Sequence, residues 1–226
     1  MRHALILAAG RGERMRPLTD VTPKPLLEVH GKPLIVHHIE KLAAIGVNYI
    51  VINTAHLADR FPETLGDGAP WGVRIRYSYE GPEPLETGGG MLKALPLLGT
   101  VPFIVVSADI WSDVDYATLP HEPDGLAHLV MVPNPAFHPE GDFSLYEGHL
   151  HDENAPAGAE RLTFGNIGVY RPALVAGEAP GAFKLGPMYR RAIAQGQLSA
   201  EKYTGFWRNV GTPAQLEELR DIVAGK

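Results

Sequence analysis

Leu5-Ile6-Leu7-Ala8-Ala9-Gly10-Arg11-Gly12-Glu13-Arg14-Met15-Arg16-Pro17-Leu18-Thr19-Asp20-Val21-Thr22-Pro23-Lys24-Pro25-Leu26-Leu27 is the stretch on which the reading of this chain turns. The apolar run from Ala4 to Ala9 predicts a first, fully buried parallel strand. The chain then enters a loop with two glycines, Gly10 and Gly12, and the basic residues Arg11, Arg14 and Arg16. Glycine lets backbone N–H groups come close to a bound anion. Pro23 and Pro25 fix the backbone on either side of Lys24 and aim its ammonium group. Strand, glycine turn and convergent cations together predict a phosphate-holding loop.

Neither of the two best-known phosphate loops fits. A P-loop requires Gly-x-x-x-x-Gly-Lys-Ser/Thr, which is absent. A dinucleotide fingerprint requires a third glycine, where this chain has Met15, and an acidic end to the second strand, where it has Asn53-Thr54.

Outward from that loop, 226 residues suffice for one large α/β domain with a substantial core. The formal net charge of -6 argues against a general nucleic-acid binder. The absence of cysteine excludes disulfides, thiolate zinc sites and a cysteine nucleophile. No apolar run reaches the ~18 residues of a membrane span. The first residues lead into a strand without a signal-peptide pattern, so the expected location is cytoplasmic, with no membrane partner.

Along the chain, Pro33 to Ile45 predicts a helix opened by Pro33 and closed by Gly46. His37 and His38 within it face different directions and read as structural or solvent-facing. Tyr49–Asn53 predicts a second strand, His56–Leu65 a short helix, and Val73–Tyr79 a more exposed strand. A loop over 80–90 and a helix over 91–97 follow. Phe103–Ser107 is a third apolar strand. This alternation is the α/β pattern, with right-handed crossovers. The second half predicts strands at Ala127–Val132, Phe143–Tyr146 and Asn166–Tyr170, and helices at Phe183–Ala194 and Pro213–Ala224.

Ligands of open α/β sheets bind beyond the carboxyl ends of the strands. The first loop, the 80–90 loop and Asp109 all follow strands and can converge there. A carboxylate at the end of an apolar strand needs a partner; Asp109 reads as a Mg²⁺ ligand, with a turn cap shared with Ser112 as the structural alternative. Beneath the second half, Asp142, Glu153 and Thr163 are candidates for a second pocket, which the resemblance set out below would make the sugar pocket.

Leu7-Ala8-Ala9-Gly10-x-Gly12-x-Arg14-Met15-x-Pro17-Leu18-Thr19, with Pro23-Lys24-Pro25-Leu26, resembles the signature of the sugar-1-phosphate nucleotidylyltransferases. Glu83-Pro84-Leu85-Glu86-Thr87-Gly88-Gly89-Gly90 and Trp207-x-x-Val210-Gly211-Thr212 extend the resemblance over nearly the whole chain. The chain departs from the family pattern at Glu13, where Thr is usual, and at Asn209, where the motif has Asp.

The resemblance implies a single α/β domain over 1–226, Rossmann-like and of the nucleotide-diphospho-sugar transferase type. Its sheet would be mixed but mostly parallel, with helices on both faces. Residues up to about 115 would form the nucleotide-binding half, and the rest the sugar-binding half. The expected partners are a nucleoside triphosphate and a sugar-1-phosphate, in a monomer or small homo-oligomer. Ala8, Ala9, Gly10 and Gly12 would cradle the triphosphate. Arg14 and Lys24 would be catalytic, on the departing pyrophosphate and the α-phosphate. Asp109 and Asn209 would hold Mg²⁺.

Glu80 and Gly88 would form the base pocket. A carboxylate at Glu80 can accept from uracil or thymine N3–H, or from guanine N1–H and N2–H. Residue chemistry therefore leaves the base open, and the resemblance tips it to UTP. Asn166 would contact sugar hydroxyls. The family's usual mid-chain phosphate lysine is missing; Lys184 is the expected replacement and Arg161 the second choice. The most specific expectation is uridylyl transfer to N-acetylmuramate-1-phosphate, in cell-wall recycling. The alternatives are guanylyl transfer to mannose-1-phosphate, or a nucleotide-sugar sensor without turnover.

Overall fold

A computed structural model describes residues 2–225. The first half holds β1 (His3–Leu7), β2 (Glu28–Val29), β3 (Lys32–Pro33), α1 (Leu34–Ala44), β4 (Tyr49–Thr54), α2 (Arg60–Leu65), β5 (Arg74–Tyr79), α3 (Glu86–Leu98), β6 (Phe103–Ser107) and β7 (Ile110–Ser112). The second holds β8 (Ala127–Val132), β9 (Phe143–Tyr146), β10 (His149–His151), β11 (Glu160–Tyr170), α4 (Gly186–Ala194), β12 (Leu198–Lys202), β13 (Trp207–Asn209) and α5 (Pro213–Ala224).

Nine strands form one sheet in the order β5-β4-β1-β6-β11-β8-β12-β10-β9. β1 lies between β4 and β6 and is parallel to both, with Leu5 opposite Val51 on one side and Val105 on the other. The expected parallel character belongs to this half. From β11 onward the ladders are antiparallel, except for the parallel β8–β12 pair. β11 bridges the halves by pairing with β6, β8 and β9.

Helices cover both faces. Ala4 and Ile6 face Ile35, Ile39 and Leu42 of α1 and Phe61 of α2. Leu5 faces the opposite way, into the layer with Met91 and Ala94 of α3 and Met188 and Ala192 of α4. A strand buried on both faces has no polar alternation, which is why β1 reads as an unbroken apolar run. A third cluster joins Met15, Leu27, Val29 and Leu34 to Val210, Leu216 and Leu219. It ties the glycine loop to α5, almost the whole sequence away.

Several boundaries differ from expectation. α3 starts at Glu86, so Gly88, Gly89 and Gly90 are buried helical residues rather than loop. A Cβ at Gly88 would collide with the Phe183 ring, and one at Gly89 with the Gly181 carbonyl. Close approach, not flexibility, is what these glycines supply. α4 starts at Gly186, leaving Phe183 and Lys184 ahead of the helix. β11 is longer than expected and breaks register between Phe164 and Gly168, where Asn166 takes φ 58°. β12 and the paired short strands β7 and β13 were not expected from the sequence.

Candidate active site

A cavity of about 350 Å³ opens beyond the carboxyl ends of β1, β4 and β6, lined by Ala8, Ala9, Gly10, Gly12, Lys24, Asn53, Glu80, Thr87 and Asp109. Gly12 has φ 64°, and a Cβ there would sit 3.0 Å from Thr19 Cγ2 and 3.2 Å from Lys24 Cβ. The left-handed turn and the tight fit both require glycine at this position. The Thr19 hydroxyl donates to the Gly12 carbonyl at 2.9 Å and closes the loop on itself.

A buried polar chain braces the floor. Ala8 N–H donates to Asn53 Oδ1, Asn53 Nδ2 donates to Glu80 Oε1, and Leu85 N–H donates to Glu80 Oε2, each at 2.6 Å. Glu80 is only 6% exposed. Burial pushes its carboxyl up in pKa, against the lowering effect of the Leu85 and Asn53 donors and the Lys93 charge. Both Glu80 oxygens are engaged from inside the protein, so a base N–H would have to use a remaining lone pair. Gly88 does not line the cavity. It lies inside α3 and its N–H donates to the Phe183 carbonyl at 2.8 Å, a main-chain brace in place of the expected base contact.

Lys24 Nζ donates to Asp109 Oδ2 at 2.6 Å. Arg14 stands in an adjoining recess with Arg11, Gly12, Lys24 and Gly211. A Cβ on Gly211 would be 3.2 Å from the Arg14 guanidinium, so glycine at 211 makes room for it. Arg11 turns aside to donate to Glu83 Oε1 at 2.6 Å and links the glycine loop to the 80s loop. The Arg11–Glu83 link and the Asn53 brace were not foreseen. Asn53 ends a buried strand with a polar side chain, and that was the available signal.

The backbones of Asp109 and Asn209 are neighbours at the antiparallel β7–β13 ladder. Asn209 pairs with Ile110, and Val210 N–H donates to the Asp109 carbonyl at 2.8 Å. From behind, buried His38 donates through Nε2 to the Ile110 carbonyl at 2.9 Å and accepts at Nδ1 from Tyr116 Oη at 2.9 Å. Burial lowers the His38 pKa to about 4, so the ring is neutral at pH 7.

Asn209 Oδ1 is buried without a hydrogen-bond partner. Asn209 lines a different cavity, with Trp207, Arg208 and Gln215, from the one that Asp109 lines, so the two residues meet through the backbone ladder. A carboxylate and an unsatisfied amide oxygen are the hard-oxygen donors that a divalent cation such as Mg²⁺ takes. No group of three or more His, Cys, Asp or Glu among the described residues could hold a metal alone. Phosphate oxygens would have to complete the coordination.

A second cavity, about 720 Å³, shares Leu7, Glu86, Thr87 and Ser107 with the first and extends to Phe164, Asn166, Lys184, Tyr189 and Arg190. Asn166 and Lys184 therefore sit where a sugar pocket was expected. Asp142 and Glu153 line neither cavity. Asp142 is committed to the fold, with Oδ2 accepting from Phe164 N–H at 2.8 Å and Oδ1 bonded to His138 at 3.1 Å. Glu153 is exposed in the turn after β10, and Thr163 is buried, donating to Asn134 Oδ1 at 2.9 Å. Arg161 is spent on the Glu140 and Asp152 carbonyls, which leaves Lys184 as the available lysine or arginine of that pair.

Comparison with known proteins agrees with this geometry. Residues 3–131 match the family model described as nucleotidyl transferase. The chain is 48% identical to an N-acetylmuramate alpha-1-phosphate uridylyltransferase of Neisseria meningitidis, with 97% of each chain covered. It is 34% identical to the enzyme of the same description from Caulobacter vibrioides, over 93% of this chain and 92% of the relative. The fold superposes on a putative glucose-1-phosphate thymidylyltransferase from Bacillus anthracis with TM-score 0.80, at 21% identity and covering 98% and 95% of the two chains. With the glycine loop, its lysine and its strand-end aspartate all inside the matched segment, the chain belongs to the nucleotidyl transferase family.

Proposed function

We propose that this protein transfers the uridylyl group of UTP to N-acetylmuramate-1-phosphate. A sugar-phosphate oxygen attacks the α-phosphorus in line, pyrophosphate leaves, and UDP-N-acetylmuramate forms. The observation that carries this reading is 48% identity over 97% of both chains with the Neisseria enzyme of that activity. In the reading from residues, two cavities joined at Leu7, Glu86, Thr87 and Ser107 are sized for a nucleotide and a sugar phosphate side by side.

Such a transfer needs positioning and charge neutralisation rather than a nucleophilic side chain. Gly10 and Gly12 hold the triphosphate against main-chain N–H groups. Lys24 moves its charge onto the α-phosphate, where negative charge concentrates during attack. Arg14, beside Gly211, steadies the leaving pyrophosphate. The Asn53–Glu80 brace shapes the base side of the cavity, while Asn166 and Lys184 orient the sugar hydroxyls and its phosphate. Asp109 and Asn209 would hold Mg²⁺, which supplies further neutralisation of the phosphate oxygens. The role that follows from this substrate is a cytoplasmic one in peptidoglycan recycling; the described residues contain no helix long and apolar enough to cross a membrane.

Pyrophosphate release with UTP against GTP, across N-acetylmuramate-1-phosphate, glucose-1-phosphate and mannose-1-phosphate, tests the reading. Release should be greatest with UTP and N-acetylmuramate-1-phosphate. A preference for GTP with mannose-1-phosphate would replace it, and nucleotide binding without release from any pair would make the protein a sensor.

A further inference from the structure

The larger cavity has a second cation on its wall besides the lysine that the function proposed above uses. Its charged lining groups are Glu86, Lys184 and Arg190. Lys184 stands exposed with no carboxylate partner among the described residues, and the function proposed above uses it on the sugar phosphate. Arg190 remains, one turn into α4, and is held in a defined pose. Its Nε lies 2.9 Å from Asp152 Oδ2, and its guanidinium sits 5.8 Å from the centre of the Phe143 ring. A Cβ at Gly186 would lie 3.6 Å from Nη1, so the residue one turn earlier leaves that edge of the guanidinium uncovered. With Nε occupied by Asp152, Nη1 and Nη2 still have donors to offer. The side chain is 57% exposed.

A guanidinium oriented by a ring and by one carboxylate, with its terminal nitrogens open, is built to accept a second carboxylate. With its phosphate held by Lys184, a sugar-1-phosphate whose ring is uncharged has no second anionic group for Arg190. N-acetylmuramate does, because the lactyl ether on its ring ends in a carboxylate. We infer that Arg190, held by Asp152 and Phe143 on the wall of the sugar cavity, selects sugar phosphates that carry a carboxylate substituent. This rests on the proposed uridylyl transfer for the identity of the acidic sugar.

The test compares N-acetylmuramate-1-phosphate with N-acetylglucosamine-1-phosphate, which lacks only the lactyl group. Affinity is measured by calorimetry and turnover by pyrophosphate release, for the wild type, Arg190→Gln and Arg190→Lys. The wild type should favour the acidic sugar. Arg190→Gln should shrink that preference by roughly ten- to a hundredfold, as expected for a lost charge-assisted hydrogen bond. Arg190→Lys should restore part of it, since the charge returns without the fork. Melting temperatures should stay close together, because the side chain is largely in solvent. The inference is overturned if the preference is unchanged in Arg190→Gln, if both sugars weaken equally, or if the wild type shows no preference. Selective binding of the acidic sugar without pyrophosphate release would instead overturn the uridylyl-transfer reading and leave Arg190's selectivity standing.

Discussion

Lys24 and Asp109, 85 positions apart, meet at 2.6 Å on the floor of the nucleotide cavity, with side chains 12% and 32% exposed. An exposed loop lysine would contribute little to stability; the ion pair and the low exposure of Lys24 change that expectation. Lys24→Ala should lower turnover roughly a hundredfold or more by removing positive charge where the transition state needs it. It should also cost about 1–2 kcal/mol, because Asp109 keeps its charge and loses its partner in a half-buried place. Steady-state kinetics and urea unfolding check the two effects separately. Wild-type turnover in Lys24→Ala would take the residue out of the mechanism.

His38 gives the fold an acid-sensitive anchor directly behind Asp109. Its pKa falls from 6.5 to about 4 in the folded protein. Between those values the unfolded chain binds a proton that the folded chain refuses. The stabilisation is therefore complete above about pH 6.5 and is lost as pH falls towards 4, amounting to about 3 kcal/mol in all. Glu80 works in the opposite sense. Its raised pKa favours the folded state at low pH and loses that contribution as pH rises. Comparing wild type with His38→Gln isolates the histidine. Unfolding free energies between pH 7 and pH 5 should fall more steeply for the wild type, and parallel curves would show that His38 does not titrate as described.

How far the sequence was legible follows from what each element must satisfy. Ala4–Ala9, Tyr49–Asn53 and Phe103–Ser107 were readable because central parallel strands are buried on both faces and announce themselves as apolar runs. Gly88 and its neighbours misled because glycine disfavours helices locally, while the reason for it, Phe183 and Gly181, lies ninety-odd residues away. Leu198–Lys202, Leu-Ser-Ala-Glu-Lys, is rich in helix-favouring residues and has no β-branched or aromatic one. It becomes a strand because β8 offers a parallel ladder and a place to bury Leu198 and Ala200. The same division holds at the site. Motif residues such as Gly12, Lys24 and Asp109 were placed, whereas Asp142 and Glu153 were chosen by residue type alone, and type does not say which way a side chain faces.

Gly90 tests the buried brace. A Cβ there would run into Glu80 Oε1 and lie 2.7 Å from Asn53 Nδ2. Gly90→Ala should therefore break the link from Ala8 through Asn53 to Glu80, even though alanine is the better helix former. We expect a loss of about 1–3 kcal/mol in stability from overpacking. kcat/KM for the nucleotide should fall on the order of tenfold through misplacement of the glycine loop. Undiminished nucleotide kinetics would mean the brace does not shape the site.

Lys184 lines the proposed sugar cavity and has no carboxylate partner among the described residues. Lys184→Ala should raise KM for the sugar phosphate roughly tenfold, the loss expected for a charge-assisted contact, while KM for UTP changes little. Its exposure implies an unaltered melting temperature. An unchanged KM for the sugar phosphate would return the role to another group.

Asn209 poses the sharpest question about charge. Its Oδ1 is buried and unsatisfied, one residue from the main-chain bond that joins Val210 to Asp109. The nearby carboxylate of Asp109 is already neutralised by Lys24. A divalent ion reaching this strand pair before the nucleotide would find almost no net negative charge. Hard cations are held chiefly by carboxylate charge and by the number of oxygen ligands. An amide oxygen therefore makes the ion depend on the phosphates that arrive with it. Asn209→Asp adds one charge and keeps the geometry. It should tighten Mn²⁺ binding to the nucleotide-free protein by roughly tenfold, followed by electron paramagnetic resonance. It should also lower the Mg²⁺ concentration that gives half-maximal turnover. A new aspartate buried without an ion would repel Asp109, so the variant should lose stability in the presence of a chelator and regain it when Mg²⁺ is added. Superimposable Mn²⁺ titrations for the two proteins would exclude Asn209 as a ligand and leave Asp109 to act with the substrate phosphates alone.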